Sequence, residues 1–273
     1  MAREHRPPAV LAIAGSDSAG AAGIQADLRT LAALGVHGLS AITAVTAQTL
    51  RHVAAIERMP LGVVAAQIDA AFAGFRVAAV KIGMLGSGAI ADRVAQRLDA
   101  HAARNVVVDP VLASSSGTAL VGARGVAALR RLGARADLLT PNVPEAETLL
   151  GRRLRTVADL EPAAQDLLAT GARAVLLKGG HLPGRTVRDV LATRASVRRY
   201  EHPRLDVQAR GTGCTLSAAL AAGLARGLAL DAAVAEAERF LQQALRAAYR
   251  AGAGVQRVLD HGSGGTASQF RFR

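Results

Sequence analysis

The chain has 273 residues, of which 51% are hydrophobic, a formal charge of +12 and a single cysteine. One cysteine excludes an internal disulfide and a Cys-x-x-Cys metal site, and it is typical of proteins in a reducing compartment, so we expect a cytoplasmic protein. No stretch of about 18 uninterrupted apolar residues occurs, so we expect no membrane-spanning helix and no association with a membrane.

The excess of positive charge is the one feature that suggests nucleic-acid binding. All but two of the 33 basic residues are Arg, and they are scattered along helix-like segments, with only 3% aromatic residues available to stack on bases. A solvated, Arg-rich surface explains this pattern better, and we expect no nucleic-acid partner. The two lysines, Lys81 and Lys178, each follow an apolar run, which is an unusual place for a solubilising charge.

In the first part of the chain, apolar runs alternate with segments of helical periodicity. The patterns predict strands at 10–14, 38–46 and 77–84, and helices at 24–34, 60–72 and 89–103. Between the first strand and helix lies the glycine-rich stretch 15–23, whose spacing does not match the G-x-G-x-x-G of a dinucleotide-binding loop. It therefore predicts a ligand-facing turn without indicating a nicotinamide or flavin cofactor.

The second part of the chain continues the same alternation. It predicts strands at 105–109, 138–140 and 174–177, a strand pair within 187–197, and helices at 122–132, 157–170, from 215 to about 226 and at 232–249. The Gly/Ser-rich tail, about 262–273, is expected to be mobile. With no linker or repeat between the elements, we expect 1–273 to form a single α/β domain with a mostly parallel sheet and helices on both faces.

Polar motifs follow the predicted strands. They are Asp17, Gln48, 81–84, Asp109, Asn142, Lys178 and 211–214. Because the carboxyl ends of parallel strands meet at one edge of a sheet, these residues are expected to converge on one crevice. This regularity favours an enzyme or a small-ligand binder.

The sequence Gly211-Thr212-Gly213-Cys214 precedes an apolar, alanine-rich helix. Glycines permit a tight turn there, and the first N–H groups of a helix have no partner within it. Such a helix start attracts anions, and a thiol beside it tends to have a lowered pKa. The alternative is a glycine-rich turn before a helix with a small buried cysteine, and these residues alone do not decide between the two.

An anion site, a well-placed lysine and carboxylates at strand ends are the groups that phosphoryl transfer requires. Asp109 and Glu145 are the candidate Mg²⁺ carboxylates, with Asn142 beside the phosphates. No Walker A motif is present, which excludes a P-loop kinase, and the protein-kinase motifs are also missing. His181 is more typical of a loop-supporting residue than of a catalytic one.

Six motifs, in order, resemble those of hydroxymethylpyrimidine/phosphomethylpyrimidine kinases, the thiamine-biosynthesis members of the ribokinase-like superfamily. They are 14–17 with 23–27, Lys81-Ile82-Gly83-Met84, Asp109-Pro110-Val111, Thr140-Pro141-Asn142 with Glu145, Lys178-Gly179-Gly180-His181 and 211–215. The resemblance implies a three-layer α/β/α fold, a homodimer, and ATP- and Mg²⁺-dependent phosphorylation. The substrates that it implies are 4-amino-5-hydroxymethyl-2-methylpyrimidine and then its monophosphate.

The resemblance also implies roles for individual residues. Gly15, Asp27, Gln48, Met84 and Val111 correspond to the pyrimidine pocket, with Asp27 and Gln48 hydrogen-bonded to the ring edge. Lys178 would bridge the ATP phosphates, Asp109, Asn142 and Glu145 would lie on the Mg²⁺·ATP side, and Gly211, Thr212 and Gly213 would form the anion hole. Cys214 takes the place of the aspartate base of related sugar kinases, as a base or as a group that positions the alcohol. As a base it needs a lowered pKa, which the helix start and Lys178 would provide.

Some positions depart from the family pattern. The run before Gly211 is Asp206-Val207-Gln208-Ala209-Arg210, in which Arg210 would supply phosphate charge, and the loop 50–60 looks shortened. Two alternatives therefore stay open: a pyridoxal/pyridoxine kinase, and a non-catalytic pyrimidine-binding homologue. Lys81 is expected to be a structural ion-pair partner and not a catalytic group.

Overall fold

A nine-stranded sheet runs through the described part of the chain, which in this computed structural model comprises residues 7–112, 122–252 and 255–263. Its strands are β1 (Ala9–Asp17), β2 (His37–Gln48), β3 (Val53–Arg58), β4 (Val77–Ile82), β5 (Val106–Val108), β6 (Leu138–Leu139), β7 (Ala174–Leu177), β8 (Thr186–Thr193) and β9 (Val197–Pro203). Their order is β3-β2-β1-β4-β5-β6-β7-β8-β9. The pairs from β2 to β7 are parallel, whereas β3, β8 and β9 are antiparallel to their neighbours, which confirms a mostly parallel sheet.

Helices cover both faces of the sheet. They are α1 (Gly23–Ala33), α2 (Leu61–Gly74), α3 (Gly88–Ala100), α4 (Ala123–Gly133), α5 (Val143–Leu150), α6 (Leu160–Ala169), α7 (Thr212–Ala225) and α8 (Leu230–Arg246). Successive strand residues point to opposite faces, so Leu11 and Ile13 pack with α2 to α6, whereas Val10 packs with α1, α7 and α8. The predicted three-layer α/β/α arrangement is confirmed. None of these helices is long and apolar enough to cross a bilayer.

Two elements differ from the sequence-based expectation. The predicted loop 50–60 contains β3, an edge strand paired with β2, whose exposed residues show no clear apolar alternation. The second is helix α5, which begins directly after Asn142, although Pro141 and Pro144 predict a turn in this segment. Pro144 is nevertheless tolerated in the first turn of α5, because no helical hydrogen bond is required from its nitrogen.

The C-terminal part of the chain adds a small second sheet. β10 (Ala209–Arg210) pairs in parallel with β11 (Arg257–Val258), which brings the segment before α7 against the segment after α8. Of the tail that the sequence predicts to be mobile, Gly262 and Ser263 form a turn, and residues 264–273 lie outside the described range.

Candidate active site

Two adjoining cavities open at the carboxyl ends of the parallel strands. The larger, about 570 Å³, is lined by Ala22, Asp109, Val111, Leu112, Asn142, Pro144, Glu145, Thr148, Lys178, His181, Ala209 and 211–214. The smaller, about 320 Å³, shares Asn142, Lys178, His181, Ala209, Thr212 and Gly213 with it, and extends between β8, β9 and α8. Nine of the predicted site residues therefore lie together, and the shared wall between the cavities carries the lysine and the glycine-rich turn.

The shared wall is the start of α7. Gly211 caps this helix in the left-handed conformation, with φ of 82°, and a Cβ at Gly211 would lie only 2.0 Å from the Ala21 carbonyl oxygen. The first helical hydrogen bond runs from the Thr215 N–H to the Gly211 carbonyl oxygen. Among the hydrogen bonds of the described residues, none uses the N–H groups of Thr212, Gly213 or Cys214. Three donors at the positive end of a helix dipole attract anions, and we call this helix start the anion site.

The first glycine-rich loop is packed against this helix start. The Asp17 carboxylate accepts hydrogen bonds from the N–H groups of Ala19, Ala21 and Ala22, which fixes the loop. Gly23 has a φ of 57°, and a Cβ there would lie 2.3 Å from the Gly15 carbonyl oxygen. Asp17 is thus a structural residue of the loop, and the close approach of backbone segments explains the glycines at 23 and 211.

Lys178 is paired with Asp109 beside the anion site. Its Nζ lies 2.8 Å from Asp109 Oδ1, and the Asp109 side chain is buried. Burial lowers the pKa of Lys178, but the carboxylates of Asp109 and Glu145 more than offset this effect, so its pKa is raised. Lys178 therefore stays positively charged. His181 lines both cavities, and burial together with Lys178 and Arg204 lowers its pKa, so it is a neutral group there.

Asn142 and Glu145 form a capping box at the start of α5. Asn142 Oδ1 accepts from the Glu145 N–H at 3.0 Å, and Glu145 Oε2 accepts from the Asn142 N–H at 2.8 Å. The Asn142 side-chain oxygen is therefore engaged, which leaves its Nδ2 group as the donor for a ligand. Burial raises the pKa of Glu145 to about 7, although the Lys178 ammonium opposes the rise. A cation near Glu145 would favour its ionised form.

Asp27 does not lie in either cavity. Both of its carboxylate oxygens are 2.8 Å from Lys81 Nζ, and neither side chain has exposed surface. Burial raises the pKa of Asp27 to about 6, with Lys81 opposing the rise. The Asp27 carboxylate is closed to ligands in this arrangement, and its expected contact with the edge of a pyrimidine ring stays a prediction. The expectation that Lys81 is a structural ion-pair partner is confirmed.

The other residues expected in the pyrimidine pocket lie near the first loop. A Cβ at Gly15 would lie 2.9 Å from the Met84 sulfur, so these two residues are in close contact. The Gln48 backbone is tied to the loop through Ser18, whose hydroxyl contacts the Gln48 N–H at 2.7 Å and its carbonyl oxygen at 2.8 Å. None of the three lines the two cavities, whereas Val111 lines the larger one.

Arg210 differs from expectation as well. It is buried, one guanidinium nitrogen contacts the Thr49 carbonyl oxygen at 3.4 Å, and it lines neither of the two cavities. Burial lowers the pKa of Arg210, with Asp17 opposing the change. The side chain is therefore directed toward the first loop and not toward the anion site.

The expected lowering of the Cys214 pKa is wrong. Burial raises the pKa of the thiol to about 11, and the Asp27 and Asp109 carboxylates act in the same direction. The nearby cation that opposes this shift is Lys81, and not Lys178 as expected. The helix start alone does not ionise this half-buried thiol, because desolvation and the two carboxylates together outweigh the local positive charge.

The single cysteine makes this ionisation directly measurable. Because the thiolate is the nucleophile, alkylation of Cys214 by iodoacetamide is expected to be slow at neutral pH and to keep rising toward a midpoint near the pKa of about 11. Rates measured across alkaline pH, with free glutathione as the reference thiol, check this expectation. A midpoint below that of glutathione would contradict it.

Sequence reasoning missed the polar residues of the smaller cavity. Asp189 lies in β8, His202 in β9 and Gln242 in α8, and each faces this cavity. No motif joins them, since they come from three elements that only the fold brings together.

Comparison with known proteins supports one family. The family model described as "Phosphomethylpyrimidine kinase" matches residues 17–259. The Escherichia coli protein named hydroxymethylpyrimidine/phosphomethylpyrimidine kinase is 45% identical over 213 residues, which are 77% of this chain and 80% of that protein. A Geobacter sulfurreducens relative named thiamine biosynthesis bifunctional protein ThiED is 44% identical over 247 residues, 90% of this chain and 50% of that protein.

Among solved structures, an ADP complex of Bacillus subtilis pyridoxal kinase has a similar fold. The TM-score is 0.87 and the identity 32%, over 94% of this chain and 98% of that one.

Proposed function

The chain belongs to the phosphomethylpyrimidine kinase family, and from this premise we propose that it transfers phosphoryl groups from ATP to 4-amino-5-hydroxymethyl-2-methylpyrimidine and then to its monophosphate. Its relatives are named for these two substrates and for thiamine biosynthesis. The family model and the names of the curated relatives favour the pyrimidine over the pyridoxal alternative, whereas the fold is shared with a pyridoxal kinase.

The observation that carries the proposal is the anion site in the wall between two cavities. ATP would occupy the smaller cavity, with its phosphates against the free N–H groups at the start of α7. The acceptor would occupy the larger cavity, on the other side of the same donors. Lys178, shared by both cavities, would stabilise the charge that develops on the transferred group.

The residues of the larger cavity fit a magnesium ion. Asp109 uses one carboxylate oxygen for Lys178 and Glu145 uses one for the Asn142 N–H, so each has a second oxygen available. Oxygen ligands from one or two carboxylates are typical of Mg²⁺ in kinases, and the ion would neutralise phosphate charge. Asn142, through its Nδ2 group, would donate a hydrogen bond to a phosphate oxygen.

Cys214 borders the larger cavity, next to where the acceptor would lie. With a pKa of about 11 it enters the reaction as a neutral thiol, so we propose that it positions the acceptor hydroxyl in the ground state. Phosphoryl transfer through a loose transition state needs little help from a base, because positioning and charge stabilisation dominate the rate. Asp27 supports this residue indirectly, through the buried pair with Lys81.

The reaction products test this function directly. Incubation of the full chain with Mg²⁺, ATP and the hydroxymethylpyrimidine should give the monophosphate first and the diphosphate later, which ³¹P NMR separates. Binding of the pyrimidine without any phosphorylated product would instead support the non-catalytic homologue.

A matched pair of glycine substitutions tests the anion site. A Cβ at Gly213 would lie 3.5 Å from both Asp109 Oδ2 and Lys178 Nζ, which is ordinary contact, so Gly213→Ala should fold. The added methyl would occupy space beside the phosphate donors, and we expect kcat to fall by about 10²-fold, the loss typical when one oxyanion-type donor is removed. ADP release and the melting temperature measure the two effects.

The control is Gly211→Ala, whose Cβ would meet the Ala21 carbonyl oxygen at 2.0 Å in a left-handed conformation. It should lose stability as well as activity. Full activity of Gly213→Ala would show that no phosphate group binds at the start of α7 during the reaction.

We also propose that 1–273 is one kinase domain that acts in the cytoplasm as a homodimer. Four of the six large hydrophobic side chains that are exposed among the described residues lie on or beside β2 and α2, namely Val45, Leu61, Val63 and Phe75. Such a surface fits a second copy of the chain. Light scattering of the purified chain should give twice the monomer mass, and a monomer mass would exclude the homodimer.

A further inference from the structure

A cluster of three ligand-type side chains lies at the smaller cavity, which it shares with Lys178. Asp189 of β8, His202 of β9 and Glu238 of α8 each offer one ligand atom, and these atoms all lie within 4.8 Å of one another. The carboxylates are deeply buried, with 4% of Asp189 and 8% of Glu238 exposed. His202 Nε2 lies 3.3 Å from Glu238 Oε2.

A second observation comes from Gln242, which is 8% exposed and lies one helical turn after Glu238. Its Nε2 contacts His202 Nδ1 at 2.9 Å, while its Oε1 has no hydrogen-bond partner among the described residues. Glu238 Oε1 is likewise without a partner there. Two buried oxygen acceptors at one cluster therefore lack a positive group or a donor.

The charges in the cluster are also unbalanced. Within the described ranges, no Lys or Arg side chain forms an ion pair with Asp189 or Glu238, although Asp189 is near enough to Lys178 to raise the pKa of that lysine. Asp189 accepts a hydrogen bond from the Gly179 N–H at 2.8 Å and shares one with Glu238, whose pKa is raised to about 9 by burial and by Asp189. The ligand atoms offered by the three residues are all electron-pair donors when His202 is neutral. A buried carboxylate without a paired cation either takes up a proton or coordinates a metal.

We propose that Asp189, His202 and Glu238 bind a divalent transition-metal ion of the Zn²⁺ class, with Gln242 as the supporting residue. One imidazole and two carboxylates are a ligand set that zinc accepts, and the imidazole disfavours magnesium and calcium. Turning the Gln242 amide over brings its oxygen to His202 Nδ1, which would then donate a hydrogen bond and leave the Nε2 lone pair for the metal. Metal-bound histidines usually have this kind of support.

A shared proton is the competing occupant of the site. A proton between Asp189 and Glu238 joins two carboxylate oxygens, and turning the Gln242 amide gives Gln242 Oε1 a partner with either occupant. The proton still leaves Glu238 Oε1 without a partner, whereas a cation at the centre that takes this oxygen as a ligand would satisfy it. The ion can enter, because Asp189, His202 and Gln242 line the open cavity and the His202 side chain is 17% exposed.

The site would connect the β8–β9 hairpin to α8 at the wall of the smaller cavity. Its expected effect is on stability, because a ligand that binds the folded state alone raises the melting temperature. The proposal does not depend on which acceptor the enzyme phosphorylates, and binding of the metal alone is its readout.

The test uses the full chain, free of any affinity tag and stripped with a chelator, titrated with ZnCl₂ in the absence of nucleotide. We expect about one equivalent of zinc to bind and to raise the melting temperature. Glu238→Gln keeps the shape of the side chain but loses the charge, and should abolish both effects while the metal-free protein stays folded. Gln242→Leu should weaken zinc binding by about 10- to 100-fold, as is usual when the support of a metal-bound histidine is removed.

His202→Ala provides a second ligand deletion, and His101→Ala is the matched control. His101 is also paired with an aspartate, since its Nε2 lies 2.8 Å from Asp69 Oδ1, but it caps the end of α3 outside the smaller cavity, so its removal should leave zinc binding unchanged. Absence of saturable zinc binding to the wild-type chain would overturn the proposal. Binding that survives in both Glu238→Gln and His202→Ala would overturn it equally.

Discussion

Lys81→Met is expected to lower the free energy of unfolding by about 3–5 kcal/mol, because it leaves the Asp27 carboxylate buried without its partner. Both carboxylate oxygens of Asp27 lie 2.8 Å from Lys81 Nζ, and neither side chain is exposed. Urea unfolding of the variant and the wild type measures the loss.

The double variant Asp27→Leu/Lys81→Met is the control for this prediction. It removes both charges and should recover most of the lost stability, since an apolar pair of similar volume often replaces a buried ion pair without cost. If Asp27 instead bound the pyrimidine, Lys81→Met would change stability by less than about 1 kcal/mol, as is usual away from such features. The main effect of Lys81→Met would then be on the KM for the pyrimidine. This result would contradict the structural role of the Asp27–Lys81 pair.

Lys178→Met is expected to reduce kcat by about 10²- to 10³-fold, the loss typical when a group that stabilises transition-state charge is removed. Lys178 lies in the wall shared by the two cavities, 2.8 Å from Asp109, and it stays protonated because the Asp109 and Glu145 carboxylates raise its pKa. ADP release at saturating ATP and pyrimidine measures the change.

Arg131→Ala is the control for Lys178→Met, because it removes one positive charge from an exposed pair with Asp92. Its kcat should equal that of the wild type, which separates a local effect from an effect of net charge. A kcat of Lys178→Met within about threefold of the wild type would show that the assignment of Lys178 to the transferred phosphoryl group is wrong. Such a change is smaller than the contribution of a single general acid or base.

The sequence predicts the layers of the fold and the edge at which the site forms, for a simple physical reason. Buried parallel strands such as β5 consist of consecutive apolar residues, and the polar residue that follows them marks the edge of the sheet. Asp109 and Lys178 are both found in this way, although their contact is not. β3 escapes prediction because an exposed edge strand needs no apolar pattern.

What the sequence leaves undecided concerns groups whose environment depends on long-range packing. The position of Asp27 in the first turns of a helix is equally compatible with a ligand contact and with a buried pair, until α1 is seen to lie against Lys81 of β4. The thiol of Cys214 lies at a helix start as expected, but the local sequence cannot reveal the burial that raises its pKa. The cluster of Asp189, His202 and Glu238 likewise exists only after three distant elements have packed together.

The most direct test of the assigned activity is the initial rate of ADP release with three acceptors offered separately at equal concentration. The acceptors are the hydroxymethylpyrimidine, its monophosphate and pyridoxal, with Lys178→Met as the comparison variant. We expect turnover of both pyrimidines, with a higher kcat/KM than for pyridoxal, and a kcat about 10²- to 10³-fold lower in the variant. Turnover of pyridoxal alone would contradict the pyrimidine kinase function while leaving the phosphoryl-transfer site in place.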